Sequence, residues 1–475
     1  MVEFKNNRDK NDIYGMPILG IIFKNKKFIR TIQIITFLLF VYGVYMGFVE
    51  PTKENTFTKY LFWGLFWSLF IVVSLTSFGR IFCGICPHGF LGKYITKIGL
   101  NKDMPKFLQN RFIGIFLLFF GWWAIYYAVP GFWKVPIATA WLFTSLTFLA
   151  FIMYYLYKDM SYCKYICPIG TLMKSYSKIS PTFLNTYKED CSSCRTFECA
   201  KACPYNLKPF TFNKKNSMED CTLCMDCSSA CDAVAFSLTP PSKSLFKKFK
   251  FQKAEVWAFI LITAGISISM GFHHGLGRTA IVDDFIWSKT AQLAEQYINF
   301  GSLSASGIFA FTYAVFFSVA IVLLGMFIAS KSLNSTFEKT LYTLGYAFIP
   351  LFIIGGLAHL ISAFSTHHYA DIINGFIYGF GLDIQKVENL ANRGDSWLIF
   401  LKVIPYLASL WGYIILYNRL KQFNVSKVRK IVGFLFASSL VSFYLSLQIY
   451  TAYVFKTYGA KKSNYSHHHT SHKVK

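Results

Sequence analysis

Long apolar stretches separated by polar, charged connections dominate this chain. At least nine approach the roughly 20 residues that a helix needs to cross about 30 Å of hydrocarbon. They lie at about 31–49, 60–79, 112–129, 138–157, 255–272, 306–329, 341–364, 396–417 and 431–453. The pattern predicts an α-helical polytopic membrane protein. The first stretch follows a long basic segment and lacks a small-residue cleavage site, so it reads as an anchor and not as a removed signal. Between the fourth and fifth stretches the pattern breaks into a polar, cysteine-rich interval, which predicts a small insert.

Composition supports that class, with 54% hydrophobic and only 15% charged residues among 475. The net charge of +25 follows the positive-inside rule and gives no reason to expect nucleic acid. Lys24, Lys26, Lys27 and Arg30 precede the first stretch, and Arg80, Lys93, Lys97, Lys102, Lys106 and Arg111 fill the connection after the second. The N-terminus and the insert are therefore expected in the cytoplasm, with the C-terminal tail outside. The expected organisation is a cytoplasmic segment 1–30, a four-helix membrane domain 31–180, an insert 181–254, a five-helix membrane domain 255–455 and a tail 456–475.

All twelve cysteines fall between Cys83 and Cys231. Cys221, Cys224, Cys227 and Cys231 form C-x2-C-x2-C-x3-C, and Cys191, Cys194, Cys199 and Cys203 form C-x2-C-x4-C-x3-C-P. Disulfides do not suit a cytoplasmic location. Paired C-x2-C motifs also suit zinc, but the 2-2-3 spacing is that of two-cluster ferredoxins, in which the last cysteine of each run serves the other cluster. The expected sets are Cys221, Cys224, Cys227 with Cys203, and Cys191, Cys194, Cys199 with Cys231, each holding one [4Fe–4S] cluster. Two features depart from the ferredoxin pattern: the four-residue gap after Cys194 and Asp232 in place of a proline. The insert is thus expected to be a small α+β two-cluster domain.

Cys83-x2-Cys86-Pro87 and Cys163-x3-Cys167-Pro168 follow the second and fourth apolar stretches, so both pairs are expected at one membrane face. Their thiolates suit a third iron–sulfur cluster, copper(I) or a redox-active dithiol, and buried structural cysteines are the plainer alternative. The runs from Gly79 to Gly89 and from Cys163 to Gly170, followed by a ferredoxin-like segment, resemble the membrane polyferredoxins, a family that includes NapH, the C-terminal part of NosR and CcoG. The resemblance covers about residues 30–240, although both of that family's pairs are usually C-x3-C-P. It implies electron transfer between the quinone pool, or a quinol-linked partner, and a respiratory redox protein at a bacterial inner membrane. Copper reduction for oxidase assembly is the alternative it offers.

The second half has no cysteine. His273, His274, His359, His367 and His368 are all expected toward the outer face, where imidazoles suit b-type haem, copper or a quinol site. Interfacial histidines at helix ends are the plainer reading for four of them. His359 lies inside a helix after Gly355 and Gly356 and is the best candidate ligand or proton relay. His467, His468, His469 and His472 in the polar tail could bind a metal loosely. A redox-sensing transporter is a third functional reading. No nucleotide loop or nucleophile triad is present.

Overall fold

A computed structural model describes residues 8–74, 78–212, 218 and 220–461; the tail histidines lie outside the described residues. Helices dominate, because in lipid every backbone N–H and C=O must be satisfied within the chain. Among the described residues seven helices are long and apolar enough to cross a membrane: Lys26–Val49, Thr56–Val73, Pro136–Leu156, Lys253–Arg278, Ala305–Ser332, Phe337–Gly379 and Leu398–Leu420. Lys427–Ala437 and Ser439–Tyr458 make an eighth if the pair is one span bent by 51°. The stretch expected near 112–129 forms the shorter apolar helix Phe112–Ala128. By length, then, the described residues hold seven or eight candidate spans where the pattern predicts at least nine.

Wide π-helical turns interrupt several helices, at Tyr162–Ile166, Gly271–Gly275 and Phe364–His368 among others. Such turns often mark functional positions. Here they hold Cys163, the His273–His274 pair and the His367–His368 pair.

The cysteine-rich insert is bracketed by a two-stranded antiparallel sheet, β1 (Thr182–Thr186) and β2 (Val234–Leu238), in the register Leu184 opposite Phe236. The N-terminal segment is not a free arm. Asp12 bridges to Ser237, Ile13 and Tyr14 are buried against Phe236, and the Tyr14 hydroxyl donates to Ser228 Oγ at 2.6 Å. Arg8 pairs with the fully buried Asp12 at 2.7 Å. The segment before the first span thus lies on the same side as the insert.

Basic residues at the membrane face dock the insert. Lys93 pairs with Asp226 at 2.8 Å, while Asp220 is clasped by Lys174 at 2.7 Å and Arg111 at 3.2 Å. Burial alone would raise the Asp220 carboxyl, but Lys174, Arg111 and Arg80 together hold it well below the usual carboxylate range. Burial lowers the Lys174 ammonium to about 8 against the opposing pull of Asp220. Lys93 and Arg111, which the charge pattern expects to orient the chain, therefore also anchor the cysteine-rich segment. Replacing Asp220 with alanine would remove the carboxylate that Lys174 and Arg111 share, at a cost of about 3–5 kcal/mol. Limited proteolysis of the full-length protein should then cleave within residues 181–254 faster than in the wild type; unchanged protection would refute the anchor.

Candidate metal centres

The two Cys-Pro turns adopt one geometry despite their unequal spacing. In the first, the Cys86 N–H bonds the Phe82 carbonyl at 2.8 Å, an α-type closure; in the second, the Cys167 N–H bonds the Tyr162 carbonyl at 2.9 Å, a π-type closure one residue wider. The extra residue between Cys163 and Cys167 is absorbed in that wider turn. Each turn then feeds a new helix, Pro87–Ile98 or Pro168–Ser177, with proline as its first residue. Proline suits that position because its missing N–H would be unpaired there anyway.

Glycine is required two residues after each proline. A Cβ on Gly89 would stand 2.3 Å from the Cys83 carbonyl oxygen, and one on Gly170 would stand 2.9 Å from that of Cys163. The helix starts also aim N–H groups at sulfur: the Gly170 N–H donates to Cys167 Sγ at 3.2 Å, and the Gly89 and His88 N–H groups favour the Cys86 thiolate.

All four sulfurs face one cavity. Cys83, Cys86, Cys163 and Cys167 line one apolar cavity of about 70 Å³, with His88, Phe66, Trp67 and Phe82 among its other walls. Tyr154 Oη lies 2.9 Å from Cys163 Sγ, and Arg80 reaches Cys83 Sγ at 3.8 Å. Burial, reinforced by Cys83 and Cys163, pushes the Cys86 thiol up to about 12; burial also raises Cys163 and Cys167. In this pocket the thiolate form needs a cationic partner, so a metal bound there would displace protons.

A second, smaller cavity, of about 20 Å³, is lined by Cys203, Cys221, Cys224 and Cys227. Burial raises the Cys221 thiol to about 12 and Cys224 and Cys227 further. Cys199, Cys191, Cys194 and Cys231 form the third set: Cys199 is raised to about 11 by burial and then by Cys231, Cys191 and Cys194. This set lies nearer the surface. The long gap after Cys194 forms a turn through Phe197 at φ 51°, which directs the Phe197 and Thr196 N–H groups at Cys194 and lowers its thiol.

The sets are contiguous. Cys199 is an electrostatic neighbour of Cys227. A Cβ on Gly84 would meet the Thr222 carbonyl at 3.0 Å and Cys224 Cα at 3.1 Å, so the first Cys-Pro turn abuts the second cavity. Tyr205, two residues after Cys203 and fully buried, senses Cys163, Cys83 and Cys224 at once. Its proximity to both sets is tertiary and left no signal beyond its place after Cys203-Pro204.

Among the described residues no three His, Cys, Asp or Glu side chains converge closely enough for a single metal ion. Mononuclear zinc draws its thiolates to within about 4 Å of one another, given metal–sulfur bonds of about 2.3 Å. A four-iron cluster binds each thiolate to a different iron, and cavities lined by four separated thiols fit that larger group. His359 stands in the membrane domain, far along the chain from all three sets.

The sequence model of a 4Fe-4S binding domain matches residues 60–105 and 137–185. These segments carry both Cys-Pro pairs and end before Cys191. Two uncharacterized proteins of Methanocaldococcus jannaschii are 23% and 27% identical to the chain over 218 and 225 residues, 44% and 42% of this chain and 85% and 92% of theirs. A protein of Escherichia coli named for a suggested role in electron transport, YccM, is 28% identical over 229 residues, 42% of this chain and 62% of its own. No solved structure matches.

Because the Gly89 Cβ position is occupied by backbone, Gly89→Ala should open the first Cys-Pro turn and lower iron content, whereas Gly121→Ala, with nothing within 4 Å, should leave it unchanged. Equal iron in both purified variants would refute the steric argument.

Proposed function

We infer that this chain is a membrane-bound electron carrier with three [4Fe–4S] clusters in line. The observation that carries the reading is the single apolar cavity lined by Cys83, Cys86, Cys163 and Cys167, in the two segments that match a 4Fe-4S binding domain. Cys203, Cys221, Cys224 and Cys227 hold the second cluster, and Cys191, Cys194, Cys199 and Cys231 the third. Bound iron–sulfur clusters supply the one-electron chemistry. The protein's share is to exclude water with Phe66, Trp67 and Phe82, to present N–H groups to sulfur at Cys86 and Cys167, and to set the electrostatics with Arg80.

The Cys194 set is the entry or exit point for a soluble redox partner, since the half-buried Cys194 sits among the exposed Ser192, Ser193, Arg195 and Thr196. The set at the membrane face exchanges electrons with a quinol-linked partner or the quinone pool of a bacterial inner membrane, with the insert on the cytoplasmic side. The suggested electron-transport role of the relative from Escherichia coli and the similarity to membrane polyferredoxins support this assignment.

Iron and acid-labile sulfide counted on anaerobically purified protein should give about twelve of each per chain, four for each cubane. Cys83→Ser with Cys167→Ser should lower both to about eight while the remaining charge-transfer absorption persists. A wild-type count of eight would remove the cluster at the Cys-Pro pairs, and zinc with little iron would overturn the redox assignment.

A further inference from the structure

Five imidazoles gather at the end of the bundle remote from the cysteines. A helix from Lys253 to His274 is about 30 Å long, and its first turn is tied to the cysteine side by Glu255, which pairs with Lys178 at 3.0 Å. At its far end Arg278 is an electrostatic neighbour of His273, His274, His359 and His367; His368 neighbours His359.

These histidines are not equivalent. His274 is fully engaged: Arg278 donates to its Nδ1 at 2.9 Å and its Nε2 lies 3.1 Å from Tyr126 Oη. His367 is engaged as well, by Arg393 at Nε2 and Thr366 at Nδ1. His273 and His368 each keep a buried Nδ1 without a partner. His359 is exposed within its helix. Gly356, one turn before it, has open space where a Cβ would stand, and Ala363 follows one turn after. Arg278 and Arg393 form no ion pair among the described residues; each instead bonds an imidazole nitrogen.

No three of these groups converge on a point, which does not suit a bare ion. A haem asks for something different: two imidazoles on opposite sides of a flat macrocycle, small residues beside them, and cations for two propionates. We propose that a b-type haem sits between the spans Lys253–Arg278 and Phe337–Gly379, with His273 and His359 as axial ligands and Arg278 and Arg393 facing its propionates.

A column of packed rings joins this place to the cysteine cavity. Trp67 lines the cavity; it packs on Trp123 at 5.9 Å, Trp123 on Tyr126 at 5.7 Å, and Tyr126 on His274 at 6.1 Å between centroids. One electron leaving the cluster at the Cys-Pro pairs would convert one ferric haem to ferrous, with no proton moved. This last step rests on the cluster assignment above; haem binding itself does not.

Purified full-length protein should show about one protohaem per chain by pyridine haemochrome, and a reduced-minus-oxidised α-band. His273→Ala and His359→Ala should each lose the haem while sulfide content stays constant, and His368→Ala should keep it. His359→Met should retain a haem with a shifted spectrum and a raised midpoint potential, which separates ligand loss from misfolding. Trp123→Leu should keep the haem but slow its reduction by dithionite-reduced clusters several-fold. Protein that takes up no haem even on hemin titration, including protein that binds a quinone there instead, overturns the proposal. Loss in His368→Ala with retention in His273→Ala overturns the axial pair, and an unchanged rate in Trp123→Leu overturns the column.

Discussion

Backbone packed on backbone at Gly84 is the contact on which the arrangement of sites depends. The first Cys-Pro turn meets the 222–224 loop with little room for even a methyl group, so the Cys-Pro set and the Cys221 set share a wall. Buried ion pairs around Asp220 and Asp226 hold that contact closed. Their net contribution to stability is modest, because desolvation offsets much of the attraction, but removal of one partner leaves the opposite charge under-compensated in a partly buried place. The arrangement is therefore selective for one docking geometry more than it is strong.

Both cysteine-lined cavities combine the same physical elements. Apolar walls limit water, burial favours the protonated thiols, and N–H groups at a helix start or loop favour the sulfur in its ionised form.

Much of this was legible in the residues. Apolar stretches announced helices at nearly the right places, because length and hydropathy are local properties. They could not distinguish a straight span from the bent pair around Ser438 or the short helix Phe112–Ala128. The charge pattern placed Lys93 and Arg111 on the same side as the insert. It did not reveal that they bind it, since Asp220 and Asp226 are more than a hundred residues away in sequence.

Cysteine spacing by itself determined the chemical class, because metal-ligand patterns are local and few other chemistries need twelve thiols so arranged. Two irregularities remained opaque until the backbone was seen. The unequal Cys-Pro spacings differ by one residue of helical pitch, an α closure against a π closure. The gap after Cys194 is a turn that brings two N–H groups to sulfur. Only tertiary structure decided which sulfurs face one cavity, that Tyr205 lies between two sets, and that rings from separate helices line up between the cysteines and the histidines. Those relations depend on how helices distant in sequence pack, and periodicity carries no information about that.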